Sequence, residues 1–364
     1  MKRIKVLFLS SASSIHTIRW VNSLSKRSDL VVNLVSQQKL IDNLSERVIF
    51  NLLPFNGWFG YILNFFKLKK IIRAWKPDLI HASYASGYGL TANLLNFHPL
   101  LLSAWGSDIF EFPRKSFIHK KLIELNLNNA DVIASTSFAM AKEIKKLTRN
   151  KNIKITPFGI DTKQFKKCKS GKKNSNITLG TIKNLSHVYG IDILIKSFAL
   201  AREKLLKTDI SLAKRMRLKI VGSGEQKKVL LNLIRRLGLS DISIIKERVK
   251  HHMVPKEMDD ISIFCALSRQ ESFGVSILEA SASGIPVITS NRGGLPEVVL
   301  NGVTGIIVEH LNPNDASEAL LKLVKDKNLR GELGKNGIQY INKKYKWDDS
   351  INKVVQIYKS LLVI

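Results

Sequence analysis

The sequence predicts an α/β protein built from two Rossmann-like domains that face each other across a cleft. Three observations predict it. Short apolar runs alternate with longer stretches of helical periodicity from end to end, the pattern of parallel strands covered by helices. At 364 residues the chain is too long for one ordinary core. Near its middle, "PFGIDTKQFKKCKSGKKNSN" (residues 157–176) is polar, basic and glycine-containing, and reads as an interdomain linker.

In order along the chain, "KVLFLS", "VVNLVS", "RVIFNLL", "DLIHAS", "PLLLSA" and "DVIAST" are the expected strands of a first domain over residues 1–160. A linker over 161–176 follows. "ITLGTI", "RLKIVG", "ISIIKE", "ISIFCA", "IPVITS" and "TGIIVE" are the expected strands of a second domain over 177–345. The last segment, 346–364, carries the helical pattern "SINKVVQIYKSLLVI" and is expected to cross back onto the first domain. The start, "MKRIKVLFLSSAS", has a basic end and an apolar run, but its apolar residues Ile4, Val6, Leu7, Phe8 and Leu9 suit a buried first strand better than a signal peptide. No window approaches the roughly 20 apolar residues of a membrane span, so a cytoplasmic protein is expected.

Lys and Arg total 58 against 29 Asp and Glu, a formal net charge of +29. Such a field favours polyanions: nucleic acid, an anionic membrane or phosphorylated substrates. Cys168 and Cys265 stand far apart in unlike contexts, so a reducing compartment is expected and a disulfide is not.

Open α/β sheets bind ligands beyond the carboxyl ends of their strands, which directs attention to the loops there. After "IFCALS" come Arg269, Gln270, Glu271, Ser272, Phe273 and Gly274, then the helical pattern "VSILEASAS". The first free amides of such a helix form an anion site. Glu279 lies roughly 7–8 Å further along the axis. That spacing suits a ligand with phosphates at the helix start and a hydroxyl-rich sugar alongside, because carboxylates accept hydrogen bonds from paired hydroxyls. Gly293-Gly294 after "PVITS", and Gly222 in "VGSGE", read as further loops for close backbone approach. "VGSGE" lacks the third glycine of a dinucleotide fingerprint, and "SSASSIH" after the first strand has no glycine, which disfavours a nicotinamide or flavin enzyme. A Walker lysine loop, zinc spacing and a Gly-x-Ser-x-Gly elbow are absent from the sequence. The adjacent His251 and His252 point apart on regular structure and make a poor metal pair.

Taken together, "ESFGVSILEA", "ASGIPVITSNRGGLPEVV", "NGVTGIIVE" and "KIVGSGEQKKVLLNLIRRLGL" resemble glycosyltransferase family 4, retaining enzymes of the GT-B fold. "HTIRWVNSL", "PDLIHASYASGYGL", "SAWGSDI" and "ITPFGIDTKQF" extend the resemblance through the first domain and hinge. It implies a metal-independent hexosyltransferase that needs no cofactor beyond its nucleotide-diphosphate sugar donor. By resemblance, Glu271 meets the donor sugar hydroxyls, Glu279 the ribose, and the backbone at Phe273, Gly274, Val275 and Ser276 the sugar and diphosphate. With no metal, positive side chains must neutralise the leaving diphosphate. The family's arginine and lysine positions are occupied here by Asn184 and Tyr189; the adjacent Lys183 is the expected substitute, and His187 a weaker one. Trp105 stands where many relatives have histidine. Asp108 is a candidate polar group of the site or a cap. His16 and Arg19 are candidates for the acceptor, and His81 reads as a satisfied strand-end histidine.

The expected acceptor is a glycan or a lipid-diphosphate-linked glycan of bacterial surface polysaccharide assembly. "GYILNFFKLKKIIRAWK" (Gly60 to Lys76) sets Leu68, Ile71, Ile72 and Trp75 at helical spacing among basic residues, and 142–173 is strongly basic; peripheral contact with an anionic membrane is expected from them. The rival readings are a GT-B-like nucleotide-sugar epimerase or phosphorylase and a weakly active or inactive homologue. Nucleic-acid binding has only the charge in its favour and is not expected.

Overall fold

The computed structural model describes residues 3–166, 176–309 and 312–363. The chain divides into two compact units, Met1–Pro157 with Asp348–Ile364, and Phe158–Trp347. The first holds a parallel sheet of order β3-β2-β1-β4-β5-β6-β7, with β1 (Ile4–Leu9), β2 (Leu30–Ser36), β3 (Val48–Leu52), β4 (Leu79–Ser83), β5 (Leu100–Ala104), β6 (Val132–Ser135) and β7 (Ile153–Ile155). β4 and β5 are buried along their whole length, as strands covered on both faces must be. Leu7 pairs with Asn33 on one side and Ile80 on the other, so the sheet runs outward both ways from β1 and β4.

The second unit holds a parallel sheet of order β10-β9-β8-β11-β12-β13, with β8 (Ile177–Ile182), β9 (Met216–Val221), β10 (Ser243–Lys246), β11 (Ile263–Ala266), β12 (Val287–Ser290) and β13 (Gly305–Val308). Here the order reverses between β8 and β11. The loops that follow those two strands therefore emerge side by side at the topological switch point, where open α/β sheets bind ligands.

Each apolar run read as a strand overlaps one. The structure adds β7, three residues in a lysine-rich stretch, too short and too polar to stand out. Sequence reading ended the two domains at 160 and 345, and contacts divide the chain after Pro157 and after Trp347. The reason is a parallel bridge between Ile160 and Lys346, closed by the Trp347 amide on the Ile160 carbonyl at 3.1 Å. Of the expected linker, Phe165 is buried, while residues 167–175, Cys168 among them, lie outside the described residues.

The final helix, Trp347–Leu361, packs on the first sheet: Tyr358 is fully buried, and its hydroxyl lies 2.6 Å from His81 Nδ1. The expected membrane stripe is corrected by packing. Gly60 to Lys76 forms parts of two helices, Gly57–Leu63 and Phe65–Trp75. Leu68 is fully buried, and Ile71, Ile72 and Trp75 pack on the core of the first unit. That stripe covers the sheet while the lysines between it stay in solvent.

Candidate functional site

β11 delivers the chain into the loop 267–274, and the helix Val275–Ala282 begins at Gly274, whose φ of 101° is one that side chains rarely adopt. The first amides of that helix have no carbonyl four residues back within it. Ser276 is 8% exposed, and its hydroxyl finds no hydrogen-bond partner among the described residues. A buried hydroxyl without a partner beside helix-start amides is suited to an incoming anion or hydroxyl.

Glu271 leaves the same loop and meets Lys183, the first residue after β8, at 2.5 Å; both side chains are 11% exposed. Ser268 Oγ donates to the same carboxylate at 3.3 Å. Burial alone would lower the Lys183 pKa. The charge of Glu271, its hydrogen bond to the ammonium and the phenol group of Tyr189, whose ring lies 4.9 Å away, outweigh it and raise the pKa above the ordinary lysine value. A permanent positive charge thus stands at the switch point, with Tyr189 beside it and Asn184 exposed. Arg269 fixes the geometry from below. Its guanidinium forms a bidentate pair with Asp192, 2.8 Å each, and donates to the His187 carbonyl at 2.7 Å.

Glu279 is 6% exposed, and its Oε1 lies 3.0 Å from His251 Nε2. His251 belongs to the 3-10 turn after β10 and has its ring 5.8 Å from Phe165. This partner was missed by sequence reading, which weighed His251 only against His252. No spacing rule links residues 28 apart on different elements.

The glycines allow close backbone approach, here between loops of the same unit. A Cβ on Gly293 would fall 1.9 Å from the Glu271 carbonyl oxygen, and one on Gly294 2.3 Å from that of Ser272. The Gly294 amide donates to the Glu271 carbonyl at 3.0 Å. This pair seats the Glu271 loop from behind. Gly222 likewise lets the loop after β9 lie against the Lys183 carbonyl, 1.8 Å from its missing Cβ. Phe273 is 2% exposed and rings with Phe158 and Tyr345, so its side chain is core and only its backbone can face a ligand. Val275 is half-buried at the helix start.

In the first unit, Asp108, read from the sequence as a polar group of the site or a cap, is held by backbone amides. It is 1% exposed and accepts from the amides of Ala85 (2.8 Å), Gly106 (2.8 Å) and Trp105 (3.2 Å). Burial pushes its carboxyl pKa up, while these amides oppose the rise. It locks the loops after β4 and β5 together. His16 and Arg19 lie in the first turns of the helix Ile15–Leu24 that follows β1, and the His16 ring stands 6.1 Å from Trp105. Trp105 is flanked on another side by Tyr84 at 5.0 Å. His81 is the satisfied histidine expected: 3% exposed, bonded to Tyr358 and to Ser103 Oγ at 2.7 Å, and held neutral by burial with its pKa lowered to about 3. Among the described residues no group of three or more His, Cys, Asp or Glu could hold a metal ion, and no helix is long and apolar enough to cross a membrane.

Two doubly wound parallel units, one with carboxylates and a glycine-started helix at its switch point, make up the GT-B architecture. Solved structures share it. Sucrose-phosphate synthase from Thermosynechococcus elongatus superimposes with a TM-score of 0.86 at 17% identity, over 99% of this chain and 100% of that one. HepE from Anabaena, crystallised with UDP-glucose, gives 0.80 at 17% identity, over 98% and 100%. WaaG, a glycosyltransferase involved in lipopolysaccharide biosynthesis, gives 0.76 at 14% identity, over 97% and 99%.

In sequence, residues 162–340 match the family described as "Glycosyl transferases group 1", and residues 5–137 match "Glycosyl transferase 4-like". An uncharacterized glycosyltransferase of Methanocaldococcus jannaschii is 28% identical over 353 residues, covering 95% of this chain and 94% of its own. N-acetyl-alpha-D-glucosaminyl L-malate synthase of Bacillus anthracis is 24% identical over 310 residues, covering 81% and 78%. The chain belongs to the family 4-type glycosyltransferases of the GT-B fold, and it is a transferase enzyme.

Proposed function

We propose that this glycosyltransferase moves a hexose, with retention, from a nucleotide-diphosphate sugar to a glycan or lipid-linked acceptor. The observation that carries the donor reading is the Lys183–Glu271 pair at the switch point, with the buried, unpartnered Ser276 hydroxyl in the first turn of the helix that follows the Glu271 loop. Glu271 accepts hydrogen bonds from the sugar hydroxyls, and Glu279 accepts them from the ribose. The amides at Gly274, Val275 and Ser276 take the diphosphate, and Lys183 offsets the charge that grows on it as the bond to the anomeric carbon breaks. An acceptor hydroxyl then attacks the same face, and its proton passes to the departing diphosphate. No bound metal or cofactor is needed in this scheme, because Lys183 supplies the positive charge.

His16 and Arg19 are assigned to the acceptor, with Trp105 beside His16 as an apolar wall for a sugar ring. A setting in bacterial surface polysaccharide assembly, on the inner face of the cell membrane, is supported by the net charge of +29 and by the involvement of the structurally similar WaaG in lipopolysaccharide biosynthesis.

Calorimetric titration of the full chain with UDP, GDP and other nucleoside diphosphates tests the donor reading. Micromolar binding of one of them, weakened in Glu279→Ala, is the expected result. Binding of none would overturn it.

A further inference from the structure

The core-facing stripe of the helices Gly57–Leu63 and Phe65–Trp75 leaves a second apolar row on their outer side. Phe59, Ile62, Leu63 and Phe66 follow the spacing i, i+3, i+4, i+7 and are 72%, 47%, 53% and 75% exposed. Lys69, Lys70 and Arg73 continue this row toward the end of the second helix, all exposed. The chain carries no acidic residue between Glu46 and Asp78.

A second element adjoins the first. Trp58 has its ring 6.1 Å from Phe112 and 6.4 Å from His119, at the start of the helix Phe117–Asn128. That helix shows Phe117 and Ile118 to solvent at 71% and 75% exposure, with Lys115 exposed just before them, while Lys120 and Lys121 beside them pair with Glu124. Large aromatic side chains this exposed, in a continuous group, mark an interaction surface.

We infer that this face of the first unit, formed by the three helices Gly57–Leu63, Phe65–Trp75 and Phe117–Asn128, docks on an anionic lipid surface, its aromatic rows entering the headgroup boundary and its lysines meeting lipid phosphates. The inference rests on the membrane part of the function proposed above, and it assigns that contact to a different set of residues from the stripe read in the sequence. Charge decides the occupant. A second copy of this chain would bring the same basic face to the interface and be repelled, whereas an anionic bilayer complements both the apolar row and the lysines.

The full chain is mixed with vesicles of phosphatidylcholine alone, or of phosphatidylcholine with phosphatidylglycerol, and sedimented. It is expected to pellet with the anionic vesicles and to be released by high salt. Phe59→Ser with Phe66→Ser should weaken that binding at least ~10-fold at unchanged melting temperature. Lys69→Glu and Lys70→Glu should each weaken it ~5-fold and flatten the salt dependence. Equal binding to neutral vesicles, no vesicle binding by the folded chain, or aromatic variants that bind like the parent would overturn the inference. So would a dimer that Phe59→Ser converts to monomer without vesicle binding. Nucleotide titration of the same samples separates the readings: intact diphosphate binding with failed sedimentation removes only the docking face, and the converse removes only the donor site.

Discussion

Lys183 Nζ lies 2.5 Å from Glu271 Oε2, which joins the loops after β8 and β11 across 88 residues of sequence. Lys183→Met would leave a carboxylate buried without its partner, a loss on the order of 3 kcal/mol. Donor turnover should fall ~100-fold or more if the ammonium also offsets diphosphate charge, and the melting temperature should drop with it. Because the lysine pKa is raised, the stability from this pair is present below the ordinary lysine value and lost only as pH rises past the raised one. Stability curves of parent and variant should therefore differ throughout the neutral range and converge only in strong alkali.

Gly293→Ala places a methyl 1.9 Å from the Glu271 carbonyl, at a φ of 56°. Backbone must shift, and the shift falls on the carboxylate loop. A destabilisation of ~1–3 kcal/mol is expected, with nucleotide-sugar affinity reduced although the residue itself carries no charge. Calorimetric affinity equal to the parent's would contradict this placement.

Glu279→Ala removes a carboxylate that His251 holds in place at 3.0 Å. Nucleoside diphosphate affinity should fall by ~10-fold or more, the value of a hydrogen bond to a charged group. His251→Asn should give a smaller loss of the same kind, because it frees the carboxylate without deleting it. Titration of both variants with the same nucleotide checks the order.

His81 is neutral and fully buried, with a pKa of about 3 against an ordinary 6.5. The unfolded chain binds a proton in that window and the folded chain does not, so stability is present above about pH 6.5 and is lost as pH falls toward 3. The slope is about 1.4 kcal/mol per pH unit for this one group. His81→Gln should flatten the acid side of the melting-temperature profile; an unchanged slope would show that other groups control it.

Turnover should persist in excess chelator, since Lys183 supplies the charge that a divalent ion otherwise brings. A fall of ~10-fold on adding EDTA, restored by magnesium, would show that the lysine is insufficient.

Much of the architecture was legible because β4, β5 and their neighbours are covered on both faces, which forces uninterrupted runs such as "DLIHAS" and "PLLLSA". The site was legible where it is local. Glu271, Gly274 and Glu279 lie within nine residues of sequence, so a strand end and a helix start place them without further knowledge. β7 escaped because three residues among lysines carry no periodicity. Asp108 looked like a site group because a carboxylate in a loop has no visible partner until the amides of Ala85 and Trp105 are brought to it.

By itself, then, the sequence determined two parallel α/β units, the carboxylate loop with its helix, and the strongly basic character of the chain. Those features follow from local periodicity, turn chemistry and composition. Only the tertiary structure decided that Gly293 supports Glu271 from behind, that His251 holds Glu279, and that Leu68 faces the core while Phe59 and Phe66 face solvent. Each of these depends on which elements a sheet brings together or covers, and a helix with apolar residues on more than one side cannot announce which side its neighbours will bury.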